Sequence, residues 1–366
     1  MYKIKPKTKR NLQRLIPFGL IWFLSGWVFS IVEQAASNDL DKQPVTVIEI
    51  DLQIFIFASI ALVSVGFLMG FIELKYLGDK FTNKRFAVRI LYKLLIYFSL
   101  FFIVVLILFP IAASLELNTS VLDRQVWDRY FIYLNSFTYL STMLQLAIAM
   151  ILSLFYSEIS EIIGQGVLIN FFTGKYHRPT EEERIFMFLD MKSSTTIAEK
   201  LGHLEYFRLL RAYYDCFSDA IIEHEGEIYQ YVGDEIILSW KFKSGRSNSR
   251  CIDCFFAMKE NLEQKEDWFK AQFDTIPTFK AGIHFGKVTI GEIGDIKKDI
   301  MFTGDVLNAT ARIQGLCNSY AVDLIISGDL VKQLEFGAQY ELRFLGEGEL
   351  RGKYERKELY TVNLRN

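Results

Sequence analysis

Residues 184–202 read RIFMFLDMKSSTTIAEKLG, and this stretch decides the fold of the second half of the chain. The segment 184–189 has five apolar residues after Arg184, which is typical of a strand, and this strand ends at Asp190. Helices are predicted next, over 195–201 and then over 204–223, where apolar residues recur at helical spacing. Strand-like and helix-like patterns alternate from here to residue 364, and this alternation indicates an α/β or α+β domain.

The stretch IYQYVGDEIILSW at 228–240 has the pattern of a β-hairpin. Strands are predicted over 227–231 and 236–240, with a tight turn that exposes Asp234. Asp190 and Asp234 each lie where a strand ends, and two carboxylates brought together there suit a pair of Mg²⁺ or Mn²⁺ ions. Either residue alone is equally typical of turn or cap chemistry, so only the pair indicates a metal site.

A third motif, MFTGDVLNATARIQG at 301–315, predicts a helix over 305–316 that begins after Gly304. Asn308 and Arg312 are four residues apart and therefore share one face of that helix. An amide and a guanidinium directed at one point can stabilise charge that develops on phosphorus, and a solvated helical face is the alternative. The remaining pattern predicts a helix over 251–262, paired strands over 278–284 and 287–292, and strands over 340–345 and 357–362.

Together with AGIHFGKVTIGEIG at 281–294, these motifs resemble, in order and spacing, the class III adenylate/guanylate cyclase catalytic domain. The resemblance covers 182–364, about half of the chain. It implies an α+β, ferredoxin-like βαββαβ fold for a cytosolic nucleotide cyclase catalytic domain at 182–366. Active sites of this family lie between two such domains, and this sequence contains one, so the resemblance implies a homodimer.

The resemblance also implies roles for individual residues. Two ions per active site, Mg²⁺ or Mn²⁺, would be held by Asp190, Asp234 and the main-chain carbonyl of Met191. The turn that cradles the triphosphate corresponds to Lys192, Ser193, Ser194 and Thr195. The pair that stabilises the transition state corresponds to Asn308 and Arg312. The terminal phosphates would meet Arg351, with Lys353 as a near alternative, and a position that is basic in some members falls close to Lys287.

The reaction that the resemblance implies converts ATP to 3′,5′-cyclic AMP and pyrophosphate. The positions that read the base hold Gln230 and Met301, where adenylate cyclases of the family often have Lys with Asp or Thr. Gln230 can donate or accept a hydrogen bond and Met301 offers only a polarizable surface, so ATP and GTP both stay open, and family frequency favours ATP. Two further alternatives are a diguanylate cyclase, suggested by a loose likeness of 232–236 to that family's turn, and a membrane sensor with a degenerate cyclase fold.

The first half of the chain is predicted to be a membrane domain. The chain is 51% apolar, and runs without a charged residue extend over 15–32, 52–72, 94–115 and 130–157. A helix of about 20 apolar residues spans a bilayer. We therefore expect an α-helical four-span membrane bundle at 1–157 and a coupling linker at 158–181. The sequence leaves open whether the linker transmits a signal, and whether the bundle is an anchor, a dimerisation surface or a receptor for an apolar ligand.

Loop charges predict the orientation of this bundle, because Lys and Arg accumulate on the cytoplasmic side. The first and third loops are mainly acidic, whereas the N-terminus and the second loop are basic: Lys3, Lys5, Lys7, Lys9, Arg10 and Arg14, then Lys75, Lys80, Lys84, Arg85, Arg89 and Lys93. Both termini and the catalytic domain are therefore predicted to be cytoplasmic, in a multi-pass protein of the plasma or inner membrane. The sequence has no strongly basic domain, so no nucleic-acid partner is expected.

Overall fold

The structure, a computed structural model, describes residues 5–37, 52–78, 80–81, 84–117, 119–164, 168, 170, 173–349 and 356–365. The acidic first loop of the predicted bundle lies outside these residues. The chain divides into two compact units, one at Lys9–Leu168 and the other formed mainly by Ile169–Asn366. The first is a helical unit, and the second is an α+β unit that contains the four cyclase-like motifs.

Long apolar helices make up the helical unit. Its described residues form α1 (Pro6–Ser37), α2 (Leu52–Ile72), a π-helix that continues α2 (Glu73–Leu77), α3 (Phe86–Leu117), α4 (Arg124–Leu134) and α5 (Phe137–Ile163). Four segments of these helices are long and apolar enough to cross a bilayer: Pro6–Phe29, Ser59–Leu77, Phe86–Ile111 and Tyr139–Ile163.

The fourth predicted span, 130–157, is interrupted in the structure. Helix α4 ends at Leu134 and α5 begins at Phe137, so one apolar run covers parts of two helices. The Ser136 hydroxyl accepts a hydrogen bond from the Tyr139 amide at 3.1 Å and caps α5. Mean hydropathy does not detect this break, because one polar cap carries little weight in an apolar window.

Charged side chains meet where the helices continue beyond the predicted apolar runs. The polar cluster of Glu73, Arg89, Lys93, Tyr97 and Glu158 joins the π-helix, α3 and α5. Lys93 donates to both glutamates, reaching Glu158 at 3.1 Å, and its side chain is 1% exposed. The Tyr97 hydroxyl donates to Glu73 at 2.8 Å, and Arg89 pairs with Glu158. A buried lysine therefore balances two buried carboxylates.

The described residues of the α+β unit form an eight-stranded sheet. Its strands are β1 (Thr180–Met191), β2 (Glu227–Val232), β3 (Glu235–Lys241), β4 (Phe279–Ile293), β5 (Asp299–Thr303), β6 (Leu324–Ser327), β7 (Tyr340–Glu349) and β8 (Arg356–Leu364). The spatial order is β2-β3-β1-β4-β6-β8-β7, with β5 paired to β4. Its helices are α6 (Ser194–Leu201), α7 (His203–Glu223), α8 (Phe242–Arg246), α9 (Arg250–Glu263), α10 (Glu266–Phe273), α11 (Asp305–Gly315), α12 (Cys317–Tyr320) and α13 (Gly328–Val331), and a 3₁₀ turn covers Ser247–Ser249.

The order of elements from β1 to β4 confirms the predicted ferredoxin-like arrangement. Strand β1 leads through α7 to β2 and β3, and then through α9 to β4, while the strands lie in the order β4-β1-β3-β2. The central strand β1 is buried on both faces. Ile185, Met187 and Leu189 pack into one core with α7 and α9, and Phe186 and Phe188 pack into a second core with α11. Burial on two faces explains the continuous apolar run at 185–189.

One strand prediction was wrong. The segments 278–284 and 287–292 do not pair with each other but form the single strand β4, which pairs with β1 from Phe279 to Ile290. Gly286, which separates the two segments, makes no turn. It lies under α11, where a Cβ would be 3.1 Å from the Cβ of Val306. The glycine therefore gives room to a helix.

Candidate active site

The two aspartates predicted to bind metal lie together at one edge of the sheet. Asp190 is the penultimate residue of β1, and Asp234 lies in the tight turn between β2 and β3, after Gly233 with φ of +64°. Burial raises the pKa of the Asp190 carboxyl, and the hydrogen bond and charge of Asp234 raise it further, while Lys280 opposes the shift. Two carboxyls that share a half-buried position and repel each other are well placed to attract cations.

Two side chains that sequence analysis missed contact Asp190. The Lys280 ammonium is 3.5 Å from Oδ2 of Asp190, and the Gln314 amide donates to the same oxygen at 3.3 Å. Lys280 stands directly opposite Asp190 in the β1–β4 register. Only the strand register could have revealed this pair, because 90 residues of sequence separate its members.

Glu235 adds a third acidic group to this edge. It is paired with Asp190 across β1 and β3, and burial, followed by the charges of Asp190 and Asp234, raises its pKa to about 7. Within the described residues, no three His, Cys, Asp or Glu side chains are arranged as a closed metal site. A pair of carboxylates nevertheless fits Mg²⁺ or Mn²⁺, which keep several waters and take their remaining ligands from phosphates.

The segment after Asp190 corrects one part of the predicted phosphate turn. The Lys192 amide donates to the Thr278 carbonyl at 2.8 Å and so is not free for phosphate. Its side chain pairs with Asp323. Ser193 has a left-handed backbone with φ of +55°, and α6 begins at Ser194. The amides at Ser193, Ser194 and Thr195 therefore remain as the first donors of a helix, a position that favours anions.

A basic cavity adjoins the aspartate pair. Its volume is about 270 Å³, and its lining includes Lys192, Ser193, Lys280 and Asn318. Because Lys280 also contacts Asp190, the cavity begins beside the carboxylates. Two lysines and an amide around one space suit an oligophosphate.

Asn308 and Arg312 lie on a different face of α11 from the residue that contacts Asp190. Both side chains are exposed, whereas Gln314 is buried. At about 100° per residue, Arg312 and Asn308 are roughly 200° and 240° around the helix from Gln314. In one chain the two predicted transition-state residues thus point away from that chain's own Asp190.

The predicted phosphate contacts at other positions are not at this edge. Lys287 is exposed and pairs with Glu183 across β1 and β4, seven residues along β1 from Asp190. At 3.3 Å per residue that separation is about 23 Å. Arg351 and Lys353 lie outside the described residues.

The two predicted base-reading residues flank an aromatic stack. The Tyr229 ring stacks on Phe302 at 4.6 Å, and the Phe302 amide donates to the Tyr229 hydroxyl at 3.3 Å. A bulge between Ile228 and Gln230 accompanies this contact in β2. Gln230 and Met301 are the exposed chain neighbours of the two stacked residues.

Comparison with known proteins identifies the family. The sequence model of the adenylate and guanylate cyclase catalytic domain matches residues 177–365, more than half of the chain. Adenylate cyclase 2 of Rhizobium meliloti (strain 1021) is 32% identical over 200 residues, covering 55% of each protein. The adenylate cyclase of Anabaena cylindrica is 30% identical over 183 residues, covering 48% of this chain and 36% of that protein. The chain thus spans about half the length of the first relative and about a third of the second.

A solved structure agrees with the fold. A bacterial light-regulated adenylyl cyclase superposes with a TM-score of 0.52 at 22% identity, covering 63% of this chain and 67% of that chain. With the family match, the sheet order and the clustered aspartates, we conclude that the chain belongs to the adenylate and guanylate cyclase family.

Proposed function

We propose that the chain is a membrane-anchored, homodimeric adenylate cyclase that converts ATP to 3′,5′-cyclic AMP and pyrophosphate. Family membership and the adenylate cyclase relatives support the reaction class. The catalytic domain would occupy 182–366, after a linker at 158–181 and a membrane domain at 1–157. The four long apolar helices support the membrane anchor.

The arrangement of α11 is the observation that carries the shared active site. Gln314 contacts Asp190 of its own chain, while Asn308 and Arg312 lie exposed on another face of the same helix. A second copy related by a twofold axis would bring its Asn308 and Arg312 to the aspartates of the first, and the reverse. Each site would then combine the metal-binding half of one chain with the transition-state half of the other.

Asp190, Asp234 and the carbonyl of Met191 would hold the two ions. When bound, Mg²⁺ or Mn²⁺ ions supply Lewis acidity toward the ribose 3′-hydroxyl and neutralise charge on the pyrophosphate that leaves. Because these carboxyls are half-buried and repel each other, a cation stabilises their ionised forms together.

The other side chains bind and orient the substrate. Lys280 and the amides at Ser193–Thr195 would hold the triphosphate, since Lys280 contacts Asp190 and lines the basic cavity together with Ser193. The Asn308 amide and the Arg312 guanidinium from the second copy would donate to charge that develops around the α-phosphorus during attack by the 3′-oxygen. Gln230 and Met301 would contact the base.

Mixing two inactive variants tests the shared site and the reaction together. Asp190→Ala and Asn308→Ala chains are purified separately in detergent, mixed, and incubated with Mn²⁺ and either ATP or GTP, and the products are identified by mass. Each variant alone should be inactive. Random exchange makes half of the dimers mixed, with one intact site in each, so about a quarter of wild-type activity should return. No recovery in demonstrably mixed dimers would contradict the shared site, and cyclic GMP as the sole product would contradict the choice of ATP.

A further inference from the structure

Gln314 is the buried polar residue of α11 that joins the helix to the metal-binding edge. Its side chain is 6% exposed, and its Nε2 donates to Oδ2 of Asp190 at 3.3 Å. Asn308 and Arg312, on the same helix, lie exposed. Gln314 therefore differs from Asn308 and Arg312 in both position and partner: it is buried and contacts a candidate metal ligand of its own chain.

The backbone brings Gln314 to this place by a close approach. A Cβ at Gly282 on β4 would lie 2.4 Å from the backbone nitrogen of Gln314 and 2.7 Å from the Gln314 Cα. Helix α11 can therefore rest directly on β4 only because residue 282 has no side chain. Gly282 is two residues from Lys280 on the same strand, so the two groups that contact Asp190 are held by one local packing arrangement.

Both contacts fall on one oxygen of the carboxylate. Lys280 and Gln314 each approach Oδ2 of Asp190. Two donors on one oxygen restrict rotation of the carboxylate plane, and a ligand that is held in this way loses less freedom when it binds a cation. The neutral amide adds a donor without adding a further negative charge to Asp190 and Asp234.

We propose that Gln314 is a positioning residue that orients the Asp190 carboxylate for divalent cations. The proposal rests on the proposed function, in which Asp190 is a metal ligand. Helix α11 then serves two active sites, because Gln314 orients a metal ligand of its own chain while Asn308 and Arg312 complete the site of the second copy.

Direct Mn²⁺ binding to the purified full-length chain in detergent tests the proposal, measured from the electron paramagnetic resonance signal of free Mn²⁺. The probe variant is Gln314→Met, which keeps the side-chain length and removes the donor. Thr310→Val is the matched control, since Thr310 is also buried on α11 and its hydroxyl donates within the helix, to the Val306 carbonyl. Asp190→Ala defines the signal that depends on the metal ligand.

We expect Asp190→Ala to abolish binding, Thr310→Val to leave it unchanged, and Gln314→Met to weaken it about tenfold, the usual effect of removing a group that orients a metal ligand. The Mn²⁺ concentration for half-maximal activity should rise by the same factor, while the KM for ATP at saturating Mn²⁺ stays constant. Gln314→Asn, whose amide is one methylene group short, should behave like Gln314→Met, and melting temperatures equal to that of Thr310→Val show that α11 remains packed.

Two outcomes overturn the proposal, and they are distinguishable. If Asp190→Ala binds Mn²⁺ as wild type does, Asp190 is not a metal ligand and the proposed function fails as well. If Asp190→Ala abolishes binding but both Gln314 variants match wild type, the proposed function stands and Gln314 does not position the carboxylate.

Discussion

Replacing Gly282 with alanine should force α11 and strand β4 apart where they are in close contact. The added Cβ would lie 2.4 Å from the backbone nitrogen of Gln314 and 2.7 Å from its Cα, whereas ordinary contacts begin near 3.4 Å. Backbone atoms cannot rotate away as the end of a side chain can. Either the helix moves by about 1 Å or the strand bends, and the packing between α11 and β4 suffers in both cases.

The expected cost follows from overpacking in a dense core. Adding one methyl group to a well-packed site costs about 1–3 kcal/mol, and a collision with backbone belongs at the upper end of that range. Alanine has less conformational freedom than glycine in the unfolded chain, and this offsets the destabilisation by about 0.4–1 kcal/mol. The net destabilisation is about 2 kcal/mol, which lowers the melting temperature of a domain of this size by roughly 4–8 °C.

Gly315→Ala is the matched control. Gly315 ends α11, and a Cβ there would meet nothing within 4 Å. Alanine at this helical position should be neutral or stabilising by up to about 1 kcal/mol. Thermal unfolding of both variants is followed by circular dichroism, and cyclase activity is measured on the same samples. Activity should fall more than about tenfold in Gly282→Ala, because a shift of about 1 Å displaces Asn308, Arg312 and Gln314 together. A melting temperature for Gly282→Ala equal to that of Gly315→Ala would refute the close approach.

Three further predictions concern other parts of the chain. Lys93→Met leaves the two glutamates of the polar cluster buried without their lysine, so the helical unit should lose about 3–5 kcal/mol in detergent unfolding. Lys75→Met, at an exposed position where the ammonium contacts two aromatic rings, should lose no more than about 1 kcal/mol. Equal losses would contradict the burial of Lys93. The pKa of Glu235 is raised to about 7, so its contribution to stability is complete below its ordinary pKa and is lost as pH rises through about 7. Without divalent ions, the melting temperature of wild type should therefore fall between about pH 5 and pH 8 relative to Glu235→Gln, and parallel curves for the two proteins would disprove this. Gly233→Ala places a side chain at φ of +64° and should destabilise the aspartate turn by about 1 kcal/mol in thermal unfolding. Gly233→Asn should be less destabilising, because asparagine tolerates a left-handed backbone. A larger loss of stability for Gly233→Asn than for Gly233→Ala would contradict a left-handed backbone there.

Much of the fold was predictable because its signals are local. Each of three signals depends on a few neighbouring residues: the apolar run at 185–189, the Gly-Asp turn at 233–234 and the helical spacing after Gly304. The structure confirms a strand, a hairpin and a helix at these places. Short elements with weak patterns were missed, among them α10, β5 and β6. Their residues become ordered because neighbouring strands and helices pack against them, which no short sequence window records.

The wrong strand prediction shows where local reasoning fails. Gly286 is a turn signal when it is considered alone, but in the structure it makes room for Val306 of α11 in the middle of one long strand. The fourth predicted span begins too early for the opposite reason, because α4 ends at Leu134 and Ser136 caps α5 within one apolar run, so the fourth candidate span is Tyr139–Ile163. Gly286 makes room for a segment that is distant in sequence, whereas Ser136 caps the helix that follows it directly. The sequence around each residue does not show which of these two roles it has.

For the candidate site, motifs alone named Asp190, Asp234, Asn308 and Arg312, because residue types at short spacing along one strand, turn or helix carry that information. Lys280, Gln314 and the closeness of the two aspartates were decided only by tertiary structure. Those contacts depend on the register between β1 and β4 and on the distance at which α11 rests on Gly282. Both quantities arise from the packing of segments that are far apart in the chain, so a pattern of neighbouring residues has no means of specifying them.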